Sequence, residues 1–189
     1  VALLCAFALA SCTGASPSRK ERPDRASSSS DRTAGAEGTA DATRTVQGGC
    51  GDTELRKGAP PGWNPKPAGF SDGAVGLPYV VGAGDQIMGY LWEHPMTPKA
   101  AALEEKDDGN KVLWYVRSER GGKPLAIRAH PRGVQAPVVK LSFPANSGPG
   151  RIYPSDIAVP RPGCWTFELS WNGHRDEVDL KFFEEKGNS

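Results

Sequence analysis

Between Pro162 and Phe183 the chain spells out a β-hairpin whose register can be read from the residues alone. Trp165, Phe167, Leu169 and Trp171 alternate with Thr166, Glu168 and Ser170, the period-two pattern of a half-buried strand. Asn172-Gly173 follows, the strongest short signal for a two-residue type I′ turn, because both central residues need positive φ. A two-residue loop sets every partner. Phe167 faces Val178 and Trp165 faces Leu180, while Thr166 meets Asp179 and Ser170 meets Arg175. Glu168 opposite Glu177 is a like-charge misfit, tolerable where both side chains are solvated. Burying each large apolar side chain contributes about 1.5–3 kcal/mol, so this hairpin can anchor a core.

The residues ahead of the hairpin supply partners for it. Leu77 to Val81 reads as a short strand. Asp85 to Trp92 reads as a better one, with Ile87, Gly89 and Leu91 on one face and Met88, Tyr90 and Trp92 on the other. Ala100 to Glu105 reads as one helical turn, and Asp107-Asp108-Gly109-Asn110 as a turn without the spaced ligands of a calcium loop. Lys111 to Ser118 is apolar on both faces, as a central strand is. Leu125, Ile127 and Ala129 alternate in the next strand, Val139, Leu141 and Phe143 in the one after, and Pro154 confines Ile152–Val159 to a sheet edge. Seven or so short strands separated by turn signals, with almost no helix, predict an all-β, two-sheet sandwich.

The N-terminal third is of another kind. Val1 to Ala10 is uncharged and apolar, the length of a signal-peptide core and too short to span a bilayer. It opens without Met or a basic region, the mark of an incomplete or unconventional start. Thr13 to Gly49 is low-complexity, with Val46 its one large aliphatic side chain, so it cannot bury enough surface to offset its ordering entropy. The expected organisation is therefore residues 1–12 as signal core, 13–49 as a disordered tether, and 50–189 as one β-sandwich domain. Within that domain, 50–76 is expected as an irregular arm lying on the sandwich through Leu55, Trp63 and Phe70. Net charge is only +1 for the whole chain, and no basic stripe of the kind that releases counterions is present, so nucleic acid is not an expected partner.

Leu9-Ala10-Ser11-Cys12 resembles the bacterial lipobox, which implies Cys12 as the lipidated mature N-terminus. The plainer alternative is an ordinary cleaved secretory signal. Two acyl chains on Cys12 would satisfy the requirement for stable membrane attachment. Past that point only Cys50 and Cys164 remain as thiols. Outside the membrane an oxidised pair is the economical reading, against two free thiols or one reactive one. Because Cys164 points opposite to Trp165, the bridge is expected to pin the arm to the outer face or edge of a sheet, unlike an immunoglobulin inter-sheet disulfide. Closing so long a loop contributes on the order of 4–5 kcal/mol in the chain-entropy model.

Pro162-Gly163-Cys164-Trp165-Thr166-Phe167 resembles the start of strand F in immunoglobulin-like domains, with Trp165 where those often carry Tyr. More closely, the chain resembles a group of uncharacterised exported lipoproteins of high-GC Gram-positive bacteria. That likeness is carried by Lys111–Arg117, Phe143–Gly150, Tyr153-Pro154-Ser155-Asp156, Pro162–Trp165, Cys50–Thr53 and Pro61-Gly62-Trp63. It implies an immunoglobulin-like sandwich on the extracytoplasmic face of the membrane, and no defined activity.

No G-x-S-x-G, S-x-x-K or comparable nucleophile motif is present, so catalysis is not expected and no cofactor is implied. The sharper alternative is a copper-type metal carrier using His94, Met96 and His130, since imidazole and thioether suit that metal. Against it, no spacing brings two such ligands together. Trp114 and Trp165 lie mid-strand and read as core. Trp63, Trp92 and Trp171 form the candidate surface for an envelope protein or glycan, since exposed aromatics anchor such partners. The expected function is a membrane-anchored, non-catalytic binding or structural module at the cell envelope.

Overall fold

The hairpin turn takes the backbone that Asn172-Gly173 favours, with φ of 40° and 81°. β9 (Gly163–Trp171) and β10 (His174–Phe182) pair in the expected register from His174↔Trp171 to Phe182↔Gly163. The computed structural model describes residues 43–64, 76–100 and 109–185, all within the unit Glu37–Ser189. Its further strands are β1 (Arg44–Cys50), β2 (Thr53–Lys57), β3 (Tyr79–Val81), β4 (Ile87–Leu91), β5 (Asn110–Val116), β6 (Leu125–Pro131), β7 (Val139–Phe143) and β8 (Ile152–Ile157). They form two antiparallel sheets, ordered β10-β9-β6-β7 and β1-β2-β3-β4-β5-β8. The sheets pack as a sandwich, consistent with the all-β, immunoglobulin-like class.

The core lies between them. The four-stranded sheet supplies Trp165, Phe167, Leu169, Trp171, Val178, Leu180 and Phe182, and the six-stranded sheet supplies Ile87, Leu91, Val112, Trp114, Val116, Tyr153 and Ile157. Phe167 and Phe182 stack with centroids 6.1 Å apart. Gly89 is required for a packing reason: a Cβ there would meet the Trp114 ring at 2.7 Å. Both faces of β4 and β5 are apolar because a second cluster of Tyr79, Met88, Tyr90, Leu113 and Ile152 lies on the outer side of their sheet. Pro154 sits in edge strand β8, where a missing donor is tolerated.

One inward position on β10 is a carboxylate. Asp176 accepts backbone N–H bonds from Gly84 (2.7 Å), Gln86 (2.8 Å), Ile87 (3.1 Å) and Glu177 (2.8 Å). The hairpin thereby grips the β3–β4 turn of the opposite sheet.

The N-terminal expectation needs correction. The stretches 13–49 and 50–76, which the sequence presents as disordered tether and irregular arm, contain paired strands, Arg44–Cys50 and Thr53–Lys57, at the edge of the larger sheet. An edge pair needs little apolar sequence. Leu55, only 1% exposed, and half-buried Val46 reach the core, and main-chain bonds do the rest. Phe70 and residues 101–105 of the expected helical turn lie outside the described residues.

Replacing Asp176 with Ala would orphan three turn N–H groups, each costing about 1–3 kcal/mol. Urea denaturation of D176A should show a loss of about 3–5 kcal/mol. A loss below about 1 kcal/mol would mean that the grip on the turn is not structural.

Candidate functional site

Cys50 and Cys164 form a disulfide with Cα atoms 5.8 Å apart, across a sequence separation of 114. Both are half-buried and outside the core clusters, so Cys164 does project from the outer face of its sheet. The expectation fails in one respect. Cys50 ends a strand of the opposite sheet rather than an irregular arm, so the bond does join the two sheets. It does so around their edge, where β1 lies against β10, and not through the core.

Polar contacts reinforce this seam. Buried Asp179 accepts from Thr166 Oγ1 (2.7 Å), Arg132 Nε (3.0 Å) and the Asp52 amide (3.3 Å), while its own N–H donates to Thr53 Oγ1 (2.8 Å). Arg132 also pairs with Asp52 at 3.1 Å. The two carboxylates hold the Arg132 guanidinium in its protonated form. The seam between β1–β2 and the hairpin is thus covalent, ionic and hydrogen-bonded, and its residues are accounted for by structure.

The three tryptophans proposed as one surface are not brought together. Trp171 is a correction: it is 2% exposed within the core, its Nε1 donates to Ser118 Oγ, and its ring stacks on His174. It continues the inward row of Trp165, Phe167 and Leu169. Trp63 packs on the outer apolar cluster, 6.0 Å from the Tyr115 ring, with Nε1 donating to Asp85. Its neighbour Asn64 is fully buried and donates to the Met88 sulfur and the Tyr90 hydroxyl. Trp92 is 40% exposed and lines a groove of about 320 Å³ with Lys111, Leu113, Ile152 and Pro154. Trp63 and Trp92 therefore share the outer side of the larger sheet, one as a clasp and the other at a groove wall.

The candidate metal ligands are likewise used elsewhere. Met96 is 2% exposed and its thioether belongs to the main core cluster. His94 is exposed, with Nε2 3.1 Å from the Gln47 carbonyl and its ring edge-on to Phe183. Partial desolvation pushes its pKa below the usual histidine value, opposed by the Gln47 bond and aided by Lys57. His130 is buried on the other sheet, with Nδ1 at Pro131 O and Nε2 3.4 Å from Glu168. Among the described residues no group of three or more His, Cys, Asp or Glu could hold a metal ion. Cys12 lies outside the described residues.

The outer face of the four-stranded sheet is a polar concavity of about 850 Å³ bearing Arg128, Lys140, Glu168, Ser170, Arg175 and Glu177. Arg128 pairs with Glu168 at 3.0 Å. Sequence reasoning passed over this face because its charges balance and no motif marks it.

No family model matches the chain, and no curated protein matches it. Among solved structures, one from Bacillus anthracis, provisionally assigned as a lipoprotein, aligns at 14% identity over 60% of this chain and 82% of its own, with a TM-score of 0.38. A likeness that slight transfers neither fold nor activity.

The outer apolar cluster has a pH signature. Burial, with Tyr79 adding to it, pushes the Tyr90 pKa from 10.0 up to about 12. Between those values the unfolded chain's tyrosine has lost its proton while Tyr90 keeps it, so stability falls as pH rises through that window. Tyr90→Phe should flatten this part of the pH–stability curve, and an unchanged slope would contradict the burial. Trp63→Ala should lower stability by about 2–3 kcal/mol through lost burial, and Trp92→Ala by less than about 1 kcal/mol, both read by urea denaturation.

Proposed function

We propose that this protein is an extracytoplasmic lipoprotein, held at the membrane through Cys12, whose sandwich is a non-catalytic binding or structural module of the cell envelope. The observation that carries this reading is the Cys50–Cys164 disulfide. A structural disulfide is stable in an oxidising compartment and rare in the cytosol. It agrees with an apolar leader ending in Leu9-Ala10-Ser11-Cys12 and with a polar stretch before the first strand.

The non-catalytic part rests on how the reactive side chains are used. The two domain cysteines are bonded to each other, and the buried carboxylates Asp176 and Asp179 hold backbone and side-chain donors. No helix among the described residues is long and apolar enough to cross a membrane, so attachment in this reading falls to the acyl group. Trp92 and its groove are the place to look for an envelope protein or glycan partner.

The test is to express the full chain behind a complete leader in a Gram-positive host and feed an alkyne-tagged fatty acid. The wild-type protein should carry the label and fractionate with membranes. Cys12→Ala should carry none and appear in the medium. An unlabelled wild-type protein, or membrane retention unaffected by C12A, would sink the proposal.

A further inference from the structure

The loop joining β6 to β7 is exposed along its whole length from Arg132 to Val138. Val134 is 48% and Val138 39% exposed, and Ala136 and Pro137 stand out beside them. Single exposed apolar residues are ordinary. Four gathered at one hairpin tip make it a candidate contact surface.

The strands below the tip carry a second anomaly. Arg128 on β6 and Lys140 on β7 are direct cross-strand partners, and like charges in that relation are destabilising. Arg128 is compensated by Glu168 (3.0 Å) and Gln135 (2.9 Å), whereas no ion pair holds Lys140 among the described residues. The same row continues to Glu168 and Glu177 on β9 and β10. This one row therefore runs from cations at β7 and β6 to carboxylates at β9 and β10, while Arg175 and Lys181 balance Glu177 and Asp179 along the outer side of β10. Between Glu119 and Asp156 the sequence has no acidic residue, so no carboxylate on β6, β7 or their loop offsets Lys140. Arg132, at the loop's base, is neutralised by Asp52 and Asp179.

We infer that the β6–β7 tip docks on an anionic lipid bilayer, with Val134, Ala136, Pro137 and Val138 entering the headgroup boundary and Lys140 facing the phosphates. An apolar tip with Lys140 at its base matches such a surface in both its layers. The inference rests on the proposed membrane tether, which would hold the tip within reach. A weak, reversible contact then suffices, because tethering makes it intramolecular.

The test uses the full chain as Cys12→Ser, which cannot carry an acyl group, in co-sedimentation with vesicles of phosphatidylcholine alone or mixed with phosphatidylglycerol. The protein should bind the mixed vesicles, more weakly as salt rises, and leave neutral vesicles unbound. Val134→Asp with Val138→Asp should weaken binding about tenfold or more, and Lys140→Glu several-fold. All variants should keep the wild-type melting temperature, since these side chains are exposed. Absent binding, or equal binding by the double aspartate variant, overturns the inference. So does a concentration-dependent dimer abolished by Val138→Asp, which would assign the tip to a second copy. The fatty-acid label on Cys12 is a separate readout, so failure here and failure of the lipoprotein reading are distinguishable.

Discussion

The register of the β9–β10 hairpin is the constraint on which the rest depends. Because the Asn172-Gly173 turn admits two residues and no more, each later position is committed to one face. A slip by one would turn Trp165, Phe167 and Leu169 to solvent and bring Thr166 and Glu168 into the core. It would also move every group through which the hairpin holds the other sheet.

Those groups act on both sides of the strands. Facing inward, Asp176 collects the N–H groups of the β3–β4 turn, and the aromatic side chains meet Trp114 and its neighbours. Facing outward, Cys164 holds Cys50, and Asp179 gathers Thr166, Arg132 and the Asp52 amide. Edge strands β1 and β2 bring only Val46 and Leu55 to the core, so the seam and the main-chain ladder must supply what apolar burial does not. The disulfide belongs at that seam because it limits the unfolded chain most where the closed loop is long.

What was legible in the sequence follows the strength of the local signal. Alternation and turn chemistry disclosed β9, β10, β4 and the double-faced β5. Pro154 disclosed an edge. β1 and β2 were hidden because strands with one inward apolar side chain carry no periodicity, and Gly48-Gly49 reads as linker. Trp171 shares the parity of Trp165, Phe167 and Leu169, and that parity decides its burial although it stands beside the turn. The convergence of Asp179, Arg132 and Asp52 spans distant segments and no spacing announces it. The charge row Lys140, Arg128, Glu168, Glu177 likewise exists only once β7, β6, β9 and β10 are laid side by side.

The proposed function follows from location and exposure: a stapled sandwich, an apolar leader ending in the cysteine proposed as lipid acceptor, and surfaces left over after the structural contacts are assigned. The Cys50–Cys164 bond locks the N-terminal strands to the hairpin, and the proposed extracytoplasmic address rests on it. The most direct measurement is peptide mapping of the full chain recovered from its host under denaturing, non-reducing conditions, with free thiols trapped at lysis. One cross-linked peptide pair containing Cys50 and Cys164 should be recovered, with neither cysteine alkylated. Recovery of both as alkylated thiols from a folded protein would contradict the lock and the compartment together.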